Sequence, residues 1–283
     1  MSLDHGLVGV QSEPVEKSWD NTDTILYALG VGAGHDNPLE ELSYTTEHGQ
    51  VGGEDGAVLP SYGVMLTWGV RSRRLGDFDP AMLVHAEQSI QLHRPLPTTG
   101  TVSITSMVTS IEDKGSGALV RSRAEAVLAD SGEPLVTAGS GIFIRGEGGF
   151  GRVPSAAADD RVPERDPDER QATSSWPGQA LLYRLNGDRN PLHSDPVFSA
   201  RGGFPRPILH GLCTYGITCR ALVGAIAKGE TMRSMSGRFS APVIPGDDLT
   251  IEIWYLDVGE VAFRVRRGDE TVVIDRGRAS FTA

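Results

Sequence analysis

The chain has 283 residues, 39% of them hydrophobic and 22% charged, with 26 basic against 37 acidic side chains for a net charge of −11. That length lies between one large domain and two ordinary ones. No stretch approaches the ~20 unbroken apolar residues of a membrane span, and an acidic chain without a Lys/Arg cluster offers a polyphosphate backbone little to hold, which argues against both a membrane span and a nucleic-acid partner.

The N-terminus, Met1-Ser2-Leu3-Asp4-His5-Gly6, has neither the basic start nor the apolar block of a signal peptide, and Ser280-Phe281-Thr282-Ala283 is no peroxisomal address, so the cytoplasm is the expected location. Along the chain, the first patterned segment is Tyr27-Ala28-Leu29-Gly30-Val31-Gly32, and it has a second copy in Tyr183-Arg184-Leu185-Asn186-Gly187-Asp188. Likewise His93-Arg94-Pro95-Leu96-Pro97 with Gly100 lines up with Ser240-Ala241-Pro242-Val243-Ile244-Pro245-Gly246. The separations, 183 − 27 = 156 and 242 − 95 = 147, are close enough to indicate two homologous halves joined end to end. A glycine-rich run, residues 30–34, superficially invites a dinucleotide site, but no strand precedes it and the repeat already explains it.

A helix is expected from about Pro60 through Tyr62, Val64, Met65, Leu66 and Trp68. Beyond it Val102, Ile104 and Val108 alternate into a turn at residues 113–117, and another turn follows at residues 130–134. Residues 148–178 are rich in Gly, Pro, Ala, Asp and Arg without periodicity, as expected of a solvated linker. The second half repeats the plan. Ile208, Leu212, Tyr215, Cys219, Leu222 and Ile226 recur every three or four residues, predicting a helix over 208–227 that is apolar nearly all round and must be buried. Leu249, Ile251, Ile253 and Tyr255 alternate into a turn at 257–260, and residues 267–270 make the next turn. Cys213 and Cys219 fall within the helix as buried thiols, and no spacing of a metal cage occurs. The fold class is therefore α+β. Residues 1–150 form one repeat, 151–178 the linker and 179–283 the second repeat, each repeat a long helix wrapped by an antiparallel sheet.

Chemistry concentrates between residues 183 and 216. Asp188 and His193 are five apart with Pro191 between them, so a loop can turn both side chains toward one point, where a carboxylate and an imidazole sharing a water act as a general acid/base pair. Taken alone, an Asp in such a loop is more often a turn former. The first half keeps the scaffold but has Gly32 where Asp188 falls, and no counterpart to Asn190-Pro191-Leu192-His193. A scaffold residue should recur. Gly211, near the start of the buried helix, offers a backbone N–H at the positive end of the helix dipole for a developing oxyanion, or simply allows close packing there. Asn190 adds a side-chain N–H or ties the loop, and His210 reads as structural.

These residues taken together resemble the MaoC-like family, in particular its (R)-specific enoyl-CoA hydratase 2 branch. The motif Tyr-Arg-Leu-Ser-Gly-Asp-x-Asn-Pro-Leu-His is met by residues 183–193 with Asn186 in place of Ser, and Pro-Ile-Leu-His-Gly-Leu-Cys-Thr by residues 207–214. Residues 27–32, 59–63, 85–88, 113–117 and 148–151 also look like the double-length members. The resemblance implies a double hot-dog fold and syn addition of water to a trans-2-enoyl-CoA. Asp188 and His193 would be the reacting pair, with Asn190 and Gly211 orienting it and holding the thioester oxygen. It implies substrate contacts at His85, Ala86, Lys114, Arg189, Pro191, Leu192 and Phe239, although Ala86 departs from a frequent Gly. A homodimer is implied, with no cofactor beyond the CoA of the substrate and no metal, and the faded first half would make room for long or bulky acyl chains. A hot-dog thioesterase or a non-catalytic acyl-CoA-binding subunit are the competing expectations.

Overall fold

The computed structural model describes residues 3–47, 56–71, 73–151, 160–226 and 230–282. Six helices occur among them: α1 (Asn21–Gly30), α2 (Leu42–Thr45), α3 (Gly63–Thr67), α4 (Gln179–Tyr183), α5 (Pro196–Arg201) and α6 (Gly211–Ile226). The strands are β1 (Val15–Trp19), β2 (Leu83–Leu92), β3 (Gly100–Asp113), β4 (Gly117–Leu128), β5 (Pro134–Arg145), β6 (Glu169–Ser174), β7 (Thr231–Phe239), β8 (Asp248–Asp257), β9 (Glu260–Arg267) and β10 (Val272–Thr282). All ten belong to one sheet in the order β1-β3-β4-β5-β2-β7-β10-β9-β8-β6, with antiparallel neighbours throughout. Read outward from the β2–β7 junction, the two sides have the same connectivity, which is the double hot-dog arrangement. The expected turns at 113–117, 130–134, 257–260 and 267–270 each join neighbouring strands.

The sheet exists to cover α6. Leu212, Cys213, Tyr215, Ile217, Cys219 and Leu222 are each at most 2% exposed, and each fully buried aliphatic or aromatic side chain contributes about 1.5–3 kcal/mol. Tyr215 satisfies its hydroxyl by donating to Met235 O on β7 at 2.7 Å. The helix begins at Gly211, three residues later than the apolar spacing suggests, because Ile208 and Leu209 are extended and donate their N–H groups to Leu192 O and Val243 O. Its expected end near Ala227 lies outside the described residues.

The first half departs from the expected long helix. A 3-10 turn at Pro60–Tyr62 runs into α3, which stops after five residues as Trp68 turns extended and Gly69 adopts φ +87°. The inner face of β2–β5 is therefore only partly covered by helix.

The linker expectation also needs correction. Glu169–Ser174 is β6, an edge strand on β8, placed on its side of the sheet as β1 is on β3. Its polar alternation, with no residue fully buried, leaves no apolar signal to read. The preceding prolines are pinned rather than free: Val162 packs with Trp254 and Ala262, and Trp254 Nε1 donates to Arg165 O at 2.8 Å. Residues 152–159 of that expected linker lie outside the described residues.

The two repeat copies of the tyrosine segment meet at the heart of the molecule. Tyr27 and Tyr183 are both buried, with ring centroids 6.1 Å apart, and Gln179 Nε2 donates to Gly30 O at 2.5 Å. Gly216 lies where α6 crosses this junction. A Cβ there would come within 2.4 Å of Val31 Cγ1 and 2.8 Å of Tyr27 Oη. Gly216→Ala is thus expected to lower stability by about 1–3 kcal/mol through overpacking, outweighing the ~1 kcal/mol that Ala gains in a helix. Thermal denaturation of the variant reads the sign directly, and a raised Tm would mean that the crossing has slack.

Candidate active site

The loop that carries Asp188 is built by short-range rules. After α4 a 3-10 turn, Arg184–Asn186, is closed by Asn186 Nδ2 donating to Tyr183 O at 2.9 Å. Gly187 then takes φ +120°, a conformation that side chains resist, and reverses the chain into Asp188. Asp188 Oδ1 accepts the Asn190 N–H at 3.2 Å. Asn190 Oδ1 in turn caps a second 3-10 turn, Pro191–His193, by accepting from Leu192 N at 3.1 Å, with Pro191 at its first position. The asparagine therefore ties the loop through its oxygen.

His193 is 9% exposed, and its Nδ1 lies 2.9 Å from Ile208 O, so that nitrogen carries the proton and Nε2 presents a lone pair. Burial lowers its pKa below the ordinary histidine value, the nearby Asp188 opposing in part. His210, read as structural from sequence, is part of the same cluster. Its ring stacks on His193 with centroids 3.7 Å apart and 26° between planes, and its Nε2 donates to Asp188 O at 3.1 Å. Burial, reinforced by His193, pushes it down to about 2, so it stays neutral at any working pH. One imidazole thus holds both the backbone of Asp188 and the face of His193. The contact itself has no local spacing, since Asp188 and His210 are 22 residues apart.

Titratable atoms of Asp188, His193 and His210 lie within 4.8 Å of one another. The arrangement does not suit a metal: imidazole lone pairs lie in the ring planes, and two rings stacked 3.7 Å apart at 26° hold theirs in nearly parallel planes that do not meet about 2 Å from both nitrogens.

The cluster opens into a cavity of about 760 Å³, whose wall includes Asp188, Asn190, Pro191, Leu192 and His193. Gly211, His85 and Phe239 line it too. Gly211 is the first residue of α6, and its Cα–H face lies against the Phe239 ring, where a Cβ would sit 3.4 Å from the ring edge. Phe239 packs edge-on to His85 at 5.2 Å, and His85 stacks with Trp68. Three sequence candidates stay outside the lining. Ala86 is the extra residue of a β-bulge between His85 and Glu87, Lys114 is drawn to Glu112 at 2.8 Å, and the Arg189 side chain is exposed. The cavity wall is mainly apolar toward the first half, with Val64, Trp68, Leu83 and Ile142, while four exposed arginines, Arg71, Arg73, Arg123 and Arg145, also border it. An acidic protein thus carries a locally basic rim.

The first-half counterpart of the site is filled. Gly32, which matches Asp188 in the repeat, has φ +86° and lies against the Arg220 guanidinium, and Arg220 pairs with Glu41 at 2.8 Å.

A general base at His193 needs the neutral ring, whose lone pair is lost on protonation. Because burial depresses its pKa, a rate that depends on that base is expected to hold through neutral pH and to fall only as the pH drops below the ordinary histidine value of about 6.5. A pH–rate profile with its acid limb centred above 6.5 would contradict the buried-neutral assignment.

Comparison with known proteins gives the family. A family model for the MFE-2 hydratase 2 N-terminal domain matches residues 18–146, and one for the MaoC like domain matches residues 158–276. The chain is 41% identical over 297 aligned residues to 3-hydroxyacyl-thioester dehydratase Y of Mycobacterium tuberculosis, covering 100% of both chains. It is 42% identical to the enoyl-CoA hydratase ChsH3 of the same organism, covering 87% of each. A crystal structure of a MaoC-like dehydratase from Phytophthora capsici superposes with a TM-score of 0.86 at 30% identity, over 100% of this chain and 98% of that one. With matches that span both halves and a double hot-dog sheet that carries them, the chain belongs to the MaoC-like hydratase 2 family.

Proposed function

We propose that the chain catalyses the reversible syn addition of water to trans-2-enoyl-CoA, giving (3R)-3-hydroxyacyl-CoA. The observation that carries this reading is the convergence of an acceptor Nε2 on a buried, neutral imidazole with a carboxylate, beside the N-terminus of a buried helix and on the wall of a large apolar cavity. A water held between Asp188 and His193 loses a proton to the pair as its oxygen bonds to C3. The electrons of the double bond move toward the thioester, whose oxygen is held by the first-turn N–H of Gly211. The pair then returns a proton to C2 on the same face, which balances the addition and makes it syn. Dehydration is the same path reversed.

Each supporting group has a defined part in this scheme. The Ile208 carbonyl fixes the His193 tautomer, and the neutral His210 ring keeps the imidazole in place without adding a competing charge. The basic rim suits the phosphates of CoA, while the apolar depth suits an acyl chain; about 760 Å³ is well above what a four-carbon acyl group fills. The 3R configuration follows from the family reading. No separate cofactor enters this chemistry, and the reading includes a cytoplasmic homodimer.

The test is incubation with trans-2-decenoyl-CoA. Loss of enoyl absorbance without release of free thiol is the expected result, and the product should leave a 3S-specific hydroxyacyl-CoA dehydrogenase inactive; free thiol would instead make the protein a thioesterase. Asp188→Asn should lower kcat at least ~100-fold with an unchanged circular dichroism spectrum. Retention of activity in that variant would remove the carboxylate from the reaction.

A further inference from the structure

The loop that carries His193 does not stay within its own half. Asp195 starts α5 by accepting from Val197 N at 2.8 Å and Phe198 N at 3.2 Å, and the chain leaves the helix through Gly202 and Gly203, the latter at φ +81°. It returns to the site at Ile208, where both backbone groups are in use. The Ile208 N–H donates to Leu192 O at 3.4 Å, and its carbonyl accepts the His193 Nδ1–H at 2.9 Å. The segment 194–207 is therefore a loop tied shut at the candidate active site, and its far side rests on the first half.

Two attachments hold that far side, with one arginine from each half. Arg201 meets both carboxylate oxygens of Asp79 at 3.0 Å, while Asp79 also caps the 3-10 turn Pro80–Met82 by accepting from Ala81 N. Arg145 Nη1 donates to Gly202 O at 2.8 Å, and its guanidinium lies 5.5 Å over the Phe204 ring. The two differ in weight. Arg201 and Asp79 are exposed, and a surface ion pair contributes little. Gly202 is buried, and a Cβ there would lie 3.2 Å from both Ala81 O and Leu192 Cδ1, so its carbonyl meets a charged donor within a packed seam.

Arg145 is itself firmly based. It ends β5 opposite Gly117 on β4, and the next residue, Gly146, donates its N–H to Ser116 O at 2.9 Å. Asp113 closes the turn beyond, accepting from Gly149 N at 3.0 Å and Gly151 N at 2.7 Å. A continuous path thus runs from the first-half sheet through Arg145 to Gly202, along six residues of chain to Ile208, and from its carbonyl to His193.

We propose that Arg145 is a positioning residue for His193: by fixing the Gly202 carbonyl it sets the return of the segment to Ile208, and with it the carbonyl that orients the imidazole. The half without the Asp–His pair thereby supports the reaction of the other half. The Arg201–Asp79 pair is a second, weaker attachment of the same segment. Although Arg145 stands on the basic rim, its part is to hold the base rather than to bind the phosphates of CoA. The proposal rests on the hydration reading of the site.

Steady-state kinetics of trans-2-decenoyl-CoA hydration across pH test it. Arg145→Met keeps the length of the side chain and its packing on Phe204 but has no donor. Its kcat is expected to fall about tenfold, since small misplacements of a reacting group are costly, with KM changed less than twofold. The acid limb of the pH–rate profile should also move up toward about 6.5, because a loosened Ile208 carbonyl admits water to His193, whereas Asp188 and His210, the titratable groups facing that ring, are untouched. Arg145→Lys, which retains a charged donor, should recover part of kcat. Asp79→Asn keeps an oxygen for Ala81 N and loses the ion pair, so it should shift kcat and the acid limb in the same direction by a smaller factor, and it serves as the test should Arg145→Met fold poorly. A raised KM at unchanged kcat would make Arg145 a phosphate contact and overturn the proposal. So would unchanged kinetics in both variants, or a loss of kcat that lysine does not relieve and that leaves the acid limb in place. Failure of the unsubstituted chain to hydrate the substrate overturns the functional reading beneath it, and that result is seen before any substitution is made.

Discussion

Helix α6 has almost no polar face, and the rest of the molecule is arranged to keep water from it. A sixteen-residue helix of this composition cannot lie on a surface. The β7–β10 side of the sheet curls over one flank, and the tyrosine junction between α1 and α4 closes another, at a crossing tight enough to require glycine at residue 216. Burying the helix also fixes where its N-terminus emerges, and that point is the wall of the cavity. The site therefore inherits its rigidity from the most stable part of the core.

The same burial sets the chemistry of the histidines. Neither His193 nor His210 has room for a hydration shell, so each is neutral, and each has one nitrogen committed to a backbone carbonyl. The tautomers follow from those carbonyls rather than from the solvent. Burial thus holds both rings toward the neutral form, His193 with Asp188 opposing in part. The electrostatics are local, and the net charge of −11 has no part in them.

Much of this architecture was legible in the sequence, and the losses have specific causes. The apolar run from Leu212 to Leu222 and the turns between meander strands announce themselves through composition and period. Asp188 and His193 stood out because the repeat keeps their surroundings and discards them. Edge strands β1 and β6 escaped because a strand that pairs on one side only needs no apolar alternation; the segment Glu169–Ser174 resembles a loop in every property except its hydrogen bonds. His210 was read as structural, and what it holds, the backbone of Asp188 and the face of a ring seventeen positions earlier, is a relation that no local spacing encodes.

The contrast between α3 and α6 has a consequence for what such a fold can do as a single chain. Two identical subunits assembled about a symmetry axis must carry the same helix, the same site and the same cavity, so lengthening the room for cargo in one would hollow out the other and weaken the wall on which its own catalytic residues stand. Covalent fusion removes that obligation. Here Gly32 and the Arg220–Glu41 pair fill the place that matches Asp188 in the repeat, and the five-residue helix leaves space that belongs to the cavity. One half can be remade while the other, which must hold Asp188, His193 and the end of α6 in register, stays as it is.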